Sequence, residues 1–237
     1  MKHMVCGAAL GALSVVAHAG TVFSTDFEGP LPSAISPGVA TVTGVDGFAG
    51  LGPTGYQFGG RFLRSPTGNV VTLTLDNLPD HQAISLGFLL AAIDSLDGTG
   101  TFPQGDFLTI TLDGVQVFRE SFANALSSQI QSYVPSAGGE LARHVDLGFS
   151  GPGSYYTDSA YNFAIEPRLQ NLAHTGSSAV FTFQMEGPGI QPLDDESWAM
   201  DGLTVSVSAV PEPATGTLAL LGLAGLGVWV ARGQRRR

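Results

Sequence analysis

Between Gly20 and about Ala209 the chain is a succession of short apolar runs, alternating or continuous, with clusters of turn residues between them. The runs are TVFSTDF (21–27), VATVTGV (39–45), VVTLTL (70–75), AISLGFLLAAI (83–93), DFLTITL (106–112), VQVFRESF (115–122), ARHVDLGF (142–149), SAVFTFQM (178–185) and GLTVSVS (202–208). Runs of this length and spacing are strands, because a buried helix needs a longer apolar stretch and tolerates fewer breaks. The 32 glycines and 14 prolines among 237 residues point the same way, since both residues punctuate strands and interrupt helices. The pattern predicts an all-β chain, a single antiparallel β-sandwich with a core of its own.

The strongest local signal is Asp113-Gly114 between DFLTITL and VQVFRESF, because a two-residue hairpin turn needs positive φ at both central positions. AISLGFLLAAI reads as a strand buried on both faces, and ANALSSQIQSY (123–133) as the best candidate for a short helix. The long loops 28–38, 46–60, 94–105, 150–160 and 186–197 are rich in Gly, Pro, Ser and Asp. The domain is expected to end near Val210, where Pro211 removes a backbone donor.

Both termini carry addresses. MKHMVCGAALGALSVVAHAG has a basic residue, an apolar stretch from Met4 to Ala17 and an Ala-x-Ala site, so residues 1–19 read as a secretory signal peptide. The only cysteine, Cys6, lies within it, which leaves the mature chain without disulfides, thiolate metal sites or a cysteine nucleophile. At the other end, residues 214–231 form an uncharged run, about 27 Å long as a helix, enough to cross a bilayer core. The arginines that follow hold the tail on the cytoplasmic side and place the preceding domain outside. Of ten basic residues, Lys2 sits in the signal and four arginines in the tail, so five arginines face twenty acids and the exported portion carries about −15. Such a charge repels phosphate backbones and excludes nucleic acid as a natural partner.

Pro211-Glu212-Pro213, then the apolar helix, then the Arg-rich end, resembles the PEP-CTERM protein-sorting signal of Gram-negative bacteria across residues 210–237. The resemblance implies processing near the tripeptide by an exosortase, a membrane-embedded transpeptidase, after transient anchoring in the inner membrane. It implies delivery to the cell surface or an exopolysaccharide matrix. The alternative is an ordinary C-terminal anchor behind a Pro-rich linker.

Most catalytic motifs fail on context. GLGPTG (50–55) has the letters of a dinucleotide fingerprint, but Pro53 and YQFGGRF offer no following helix. GFSGPG (148–153) places Pro152 where a nucleophile elbow needs glycine. His81, His144 and His174 form no metal or catalytic spacing and read as surface histidines.

Carboxylates at strand ends carry more. Asp201 falls in alternation with Leu203, Val205 and Val207, and a carboxylate aligned with a core face needs a partner or an ion. Asp26 and Glu28 share a face beside Phe23 and Phe27. The layout, TDFEG opening the domain and DESWAMDGLTVSV closing it, resembles the jelly-roll sandwiches of carbohydrate-binding modules and lectin-like domains, many of which hold a structural calcium between first and last strands. By position, the resemblance implies Asp26, Glu28 and Asp201 as calcium ligands. A second acidic set, Asp94, Asp97 and Asp106 in DSLDGTGTFPQGD, is a further candidate cation or ligand loop, although its spacing is not that of an EF-hand. Tyr155 and Tyr156 are loop aromatics that could stack on a sugar ring.

The sequence therefore predicts an exported, non-enzymatic surface or matrix protein whose sandwich binds carbohydrate and calcium. The competing expectations are a secreted glycan hydrolase, which needs two carboxylates flanking a cleft, and a surface protein with no ligand.

Overall fold

The computed structural model describes residues 19–100, 105–124, 126–149 and 156–209. The signal peptide, Tyr155, Pro211-Glu212-Pro213 and the apolar C-terminal run lie outside the described residues. Among the described residues no helix is long and apolar enough to cross a membrane.

Among the described residues thirteen strands follow one another: β1 (Ala19–Thr25), β2 (Ile35–Ser36), β3 (Thr41–Gly44), β4 (Arg61–Pro66), β5 (Val70–Asp76), β6 (His81–Asp94), β7 (Phe107–Leu112), β8 (Val115–Ser121), β9 (Glu140–Val145), β10 (Asp158–Asn162), β11 (Leu172–Ala173), β12 (Ser178–Glu186) and β13 (Glu196–Ala209). They form two antiparallel sheets. The larger runs β3-β4-β13-β6-β10-β9, with β1 beside β13 and β11 beside β6; the smaller runs β2-β5-β12-β7-β8. The architecture is a jelly-roll-like antiparallel β-sandwich.

The core between the sheets contains Leu86, Phe88, Leu90 and Ala92 of β6 against Phe181 and Phe183 of β12, with Trp198 and Met200 from β13. The intervening β6 residues, Leu89, Ala91 and Ile93, enter a second cluster with Phe48, Phe58, Phe62 and Leu147 under the loop before β4. β6 is thus covered on both faces, which is why its sequence is apolar without alternation. The Asp113-Gly114 turn joins β7 to β8 with φ of 51° and 79°, as its dipeptide requires.

Sequence and structure differ at 123–133, at the end of β1 and at the histidines. The described residues of 123–133 form no helix: Ala123 bridges to Asp97 and Ile130 to Thr99, because this segment supplies backbone partners to the loop after β6. β1 stops at Thr25, so Asp26 and Glu28 stand in a turn, where Phe27 has φ of 55° and Glu28 N–H donates to Asp26 Oδ1 at 3.2 Å. Two of the three histidines are not surface groups. His81, 3% exposed, sets Nε2 at 2.7 Å from His174 Nδ1, and His174 Nε2 lies 3.1 Å from Asp113 Oδ2, so the pair clasps the start of β6 to the β7–β8 turn of the other sheet.

Candidate functional site

β13 carries a carboxylate at each of two levels. At its first residue, Glu196 pairs across the ladder with Asp94, just as Trp198 pairs with Ala92, so Glu196 shares the core-facing side with Trp198. Five residues on, Asp201 pairs with Leu89, a residue of the outer cluster. Between Asp201 and Thr204 the register slips, and Gly202 takes φ of 57°. This bulge reverses the alternation, so Asp201 faces the outer cluster while Leu203, Val205 and Val207 face the core. The shared face read from sequence for Asp201 and Leu203 is corrected by that one residue.

The structure brings Asp201 into the electrostatic neighbourhood of Glu28 and Asp26 and meets these acids with backbone N–H groups. Gly59 N–H donates to Asp201 Oδ2 at 2.8 Å and Gly202 N–H to Oδ1 at 2.6 Å. Glu28 Oε1 accepts from Gly60 at 2.5 Å and Arg61 at 2.9 Å. Burial pushes Asp201 up to about 6 despite those donors, with Glu28 and Asp26 adding to the rise.

The second acidic set is divided. Asp94 has φ of 62° at the end of β6, and its carboxylate lies 3.9 Å from Arg64. Asp97 and Asp106 converge instead with Glu196: one oxygen from each lies within 4.8 Å of the other two. Glu196 is fully buried and Asp106 is 1% exposed, while Asp97 is half-buried. The loop is folded to this end, since Asp97 N–H donates to Asp106 Oδ2 at 2.5 Å and Gly105 N–H to Gly98 O at 3.0 Å. Gly98 has φ of 70°, and a Cβ there would stand 2.3 Å from Ile130 O, so no other residue fits. Gln129 Nε2 donates to Asp97 Oδ1 at 2.7 Å, and Gln191 donates to both Glu196 oxygens, at 3.0 Å from its N–H and 2.8 Å from Nε2.

Two full charges 4.8 Å apart repel by roughly 3.5 kcal/mol at an effective dielectric near 20. Burial pushes Glu196 up to about 8, with Asp106 adding to the rise, and burial pushes Asp106 up to about 7, with Asp97 adding to it. Asp97 is raised by burial and then by Asp195. Tyr156 stands in the same field, its phenol raised by burial and then by Asp195, Asp97, Glu196 and Asp94.

Glu196 was missed in the sequence because Asp194, Asp195 and Glu196 are consecutive and nothing local selects among them. The usable signal was its position two residues before Trp198, on the face that must be core.

The outer face of the smaller sheet is polar and open. A groove of about 420 Å³ is lined by Gly68, Arg119, Gln184, Glu186, Gly187 and Ile190. Arg119 lies over the Phe107 ring at 3.9 Å and 3.4 Å from Glu186 Oε1, which also accepts from Thr109 at 2.8 Å. Sequence reading passed over these residues because alternation marks them only as the solvent face.

Fold and site define a jelly-roll-like sandwich module with a carboxylate trio, two of its members buried, and an open polar groove. Its C-terminal extension, residues 209–237, matches the family model of the PEP-CTERM protein-sorting motif. That motif implies an exported protein, sorted to the cell surface and processed by an exosortase. No curated protein matches the chain. In structure the chain is similar to a family GH115 4-O-methyl-alpha-glucuronidase with specificity for decorated arabinogalactans (11% identity, TM-score 0.36, covering 84% of this chain and 19% of that one). It is also similar to a family 35 carbohydrate binding module from Clostridium thermocellum (11%, 0.33, 80% and 100%) and to the catalytic domain of a GH87 alpha-1,3-glucanase (16%, 0.33, 84% and 30%). At these levels of likeness the activities of those proteins do not transfer, and the fold rests on the strand topology itself.

Proposed function

We propose that residues 20–209 are a non-catalytic, carbohydrate-binding module of the cell surface or exopolysaccharide matrix. In this reading residues 1–19 direct export, and the run 214–231 holds the chain transiently in the inner membrane, C-terminus cytoplasmic, until the exosortase acts at Pro211-Glu212-Pro213. The observation that carries the binding role is the groove on the smaller sheet. A guanidinium, an amide and a carboxylate converge there, the planar polar groups that pair with sugar hydroxyls, on a rigid sheet in an exported protein. Thr109, Thr111 and Thr182 extend the polar surface beside it, with the Thr111 and Thr182 hydroxyls 2.6 Å apart.

The non-catalytic reading is supported by where the carboxylates lie. Glycoside hydrolysis needs two acids on either side of an accessible bond. Here the trio that converges has two members buried, and in the groove the single carboxylate, Glu186, is paired with Arg119.

A polysaccharide panel tested on the full-length chain in mild detergent should give binding that Arg119→Ala and Gln184→Ala each weaken at least tenfold, with no reducing ends released. Binding undiminished in both variants would remove the groove from the reading, and release of reducing ends would replace the module by a hydrolase.

A further inference from the structure

We infer that Asp97, Asp106 and Glu196 form a divalent cation site, with calcium as the fitting ion. The site is built from other residues than the groove, whose Gly187 packs against the Asp106 backbone, and than the Asp26, Glu28 and Asp201 arrangement that the jelly-roll resemblance implies.

The donor set is all oxygen, with no histidine or thiolate among the three, which selects a hard cation. Calcium holds its oxygens at about 2.3–2.6 Å, so two ligands of one ion lie at most about 4.6–5.2 Å apart. The mutual limit of 4.8 Å within the trio falls inside that reach. Magnesium, at about 2.0–2.1 Å, demands a tighter set.

A cluster of acids alone does not make a site, and the Asp106 carboxylate adds a second observation. It is 1% exposed, Oδ2 accepts from Asp97 N–H, and the other oxygen, Oδ1, has no hydrogen-bond partner at all. A buried carboxylate oxygen without a donor costs free energy unless a proton or a cation meets it. Of the five arginines among the described residues, four are committed to other acids, and the fifth, Arg61, is exposed on β4. Among the described residues, Arg64 pairs with Asp94, Arg119 with Glu186, Arg143 with Glu140, and Arg168 with Glu120 and Glu166. No described ion pair reaches Asp106 or Glu196.

The local fold holds the three oxygens in place without an ion. Gln191 grips Glu196 from two directions, Gln129 grips Asp97, and the Gly98 to Gly105 contact closes the loop that carries Asp97 and Asp106. The ion would add a link between the loop after β6 and the first residue of β13, beside the bonds that Ser95 N–H and Oγ already make to Asp195 O. Trp198, two residues from Glu196 on the same face, supplies an optical reporter.

The test uses full-length chain in mild detergent, stripped with EDTA at pH 8. Calcium at a hundredfold over its dissociation constant should raise the melting midpoint by on the order of 5–10 °C. Terbium should luminesce on excitation of tryptophan, and calcium should displace it. Asp106→Asn and Glu196→Gln should each abolish the luminescence and the calcium shift while melting, without metal, no lower than the parent at pH 8. That combination separates a lost ligand from a damaged fold. Asp201→Asn should keep the full calcium shift. A parent chain whose midpoint ignores both calcium and EDTA overturns the proposal, as does a calcium shift that survives in Asp106→Asn and Glu196→Gln or disappears only in Asp201→Asn. None of these readouts depends on polysaccharide binding, so the groove and the cation site fail separately.

Discussion

Asp201 and Glu196 lie five residues apart on one strand, and the company each keeps is different. Around Asp201 the backbone offers Gly59 and Gly202 N–H groups, and the neighbouring Glu28 takes Gly60 and Arg61. Around Glu196, Gln191 supplies one backbone N–H and its side-chain amide, and two more carboxylates converge on the same point within 4.8 Å. A buried acid that is given donors stabilises the chain as a structural acceptor. A buried acid that is given other acids needs a proton or an ion. Each acid on β13 has a donor at both oxygens; the two regions differ in the buried Asp106 Oδ1, which has no partner, and in the three carboxylates that converge within 4.8 Å at the Glu196 level.

The largest expected effect comes from pH. In the folded chain Asp106 and Glu196 hold protons up to about 7 and about 8, whereas unfolded carboxylates ionise near 4. Their contribution to stability is therefore fully present below about pH 4 and is lost as pH rises through about 7 to 8. In EDTA, urea midpoints should fall between pH 5 and pH 8.5, by on the order of several kcal/mol in unfolding free energy. With calcium present the fall should shrink, because the ion binds the ionised form. A flat profile in EDTA would break the contrast between the two regions.

Next comes Asp201→Ala, which strands the half-buried Gly59 and Gly202 N–H groups. It should cost about 2–3 kcal/mol in urea unfolding at neutral pH, with or without calcium. The matched change at the other level, Asp106→Asn in EDTA at pH 8, should move in the opposite direction, raising stability by about 1 kcal/mol through relief of like-charge repulsion. If both variants lost stability equally without metal, the two regions would be the same kind of acid. The smallest effect belongs to Glu28→Ala. Its acceptor is exposed and water replaces it, so the expected loss is about 0.5–1 kcal/mol, readable as a small shift of the same midpoint.

Much of the frame was legible in the sequence. Asp113-Gly114 located the hairpin, and the unbroken run of β6 announced a strand covered on two faces. β4 was not seen, because RFLRSP carries two arginines and a proline and only its pairing with β13 and β3 makes it a strand. Alternation puts Asp201 on one face with Leu203, and the Gly202 bulge reverses alternation at that point. No spacing rule shows a bulge, since it arises from register against β6. Asp97 and Asp106 were legible as an acidic loop around glycines. Their third partner lies about ninety residues further along the chain, delivered by the ladder pairing of β13 with β6.

That same ladder bears on how the domain would carry load. Ala19 pairs with Ser208, so the first and last described strands begin and end side by side. Anything joined beyond Ala209 pulls along β13, which has β6 on one flank and β4 and then β1 on the other. Ladder bonds in antiparallel sheets lie perpendicular to the strands, so such a pull shears many of them together instead of peeling them one at a time. A chain held by its last strand in a matrix under tension would be anchored through the part of the sandwich most resistant to being drawn out.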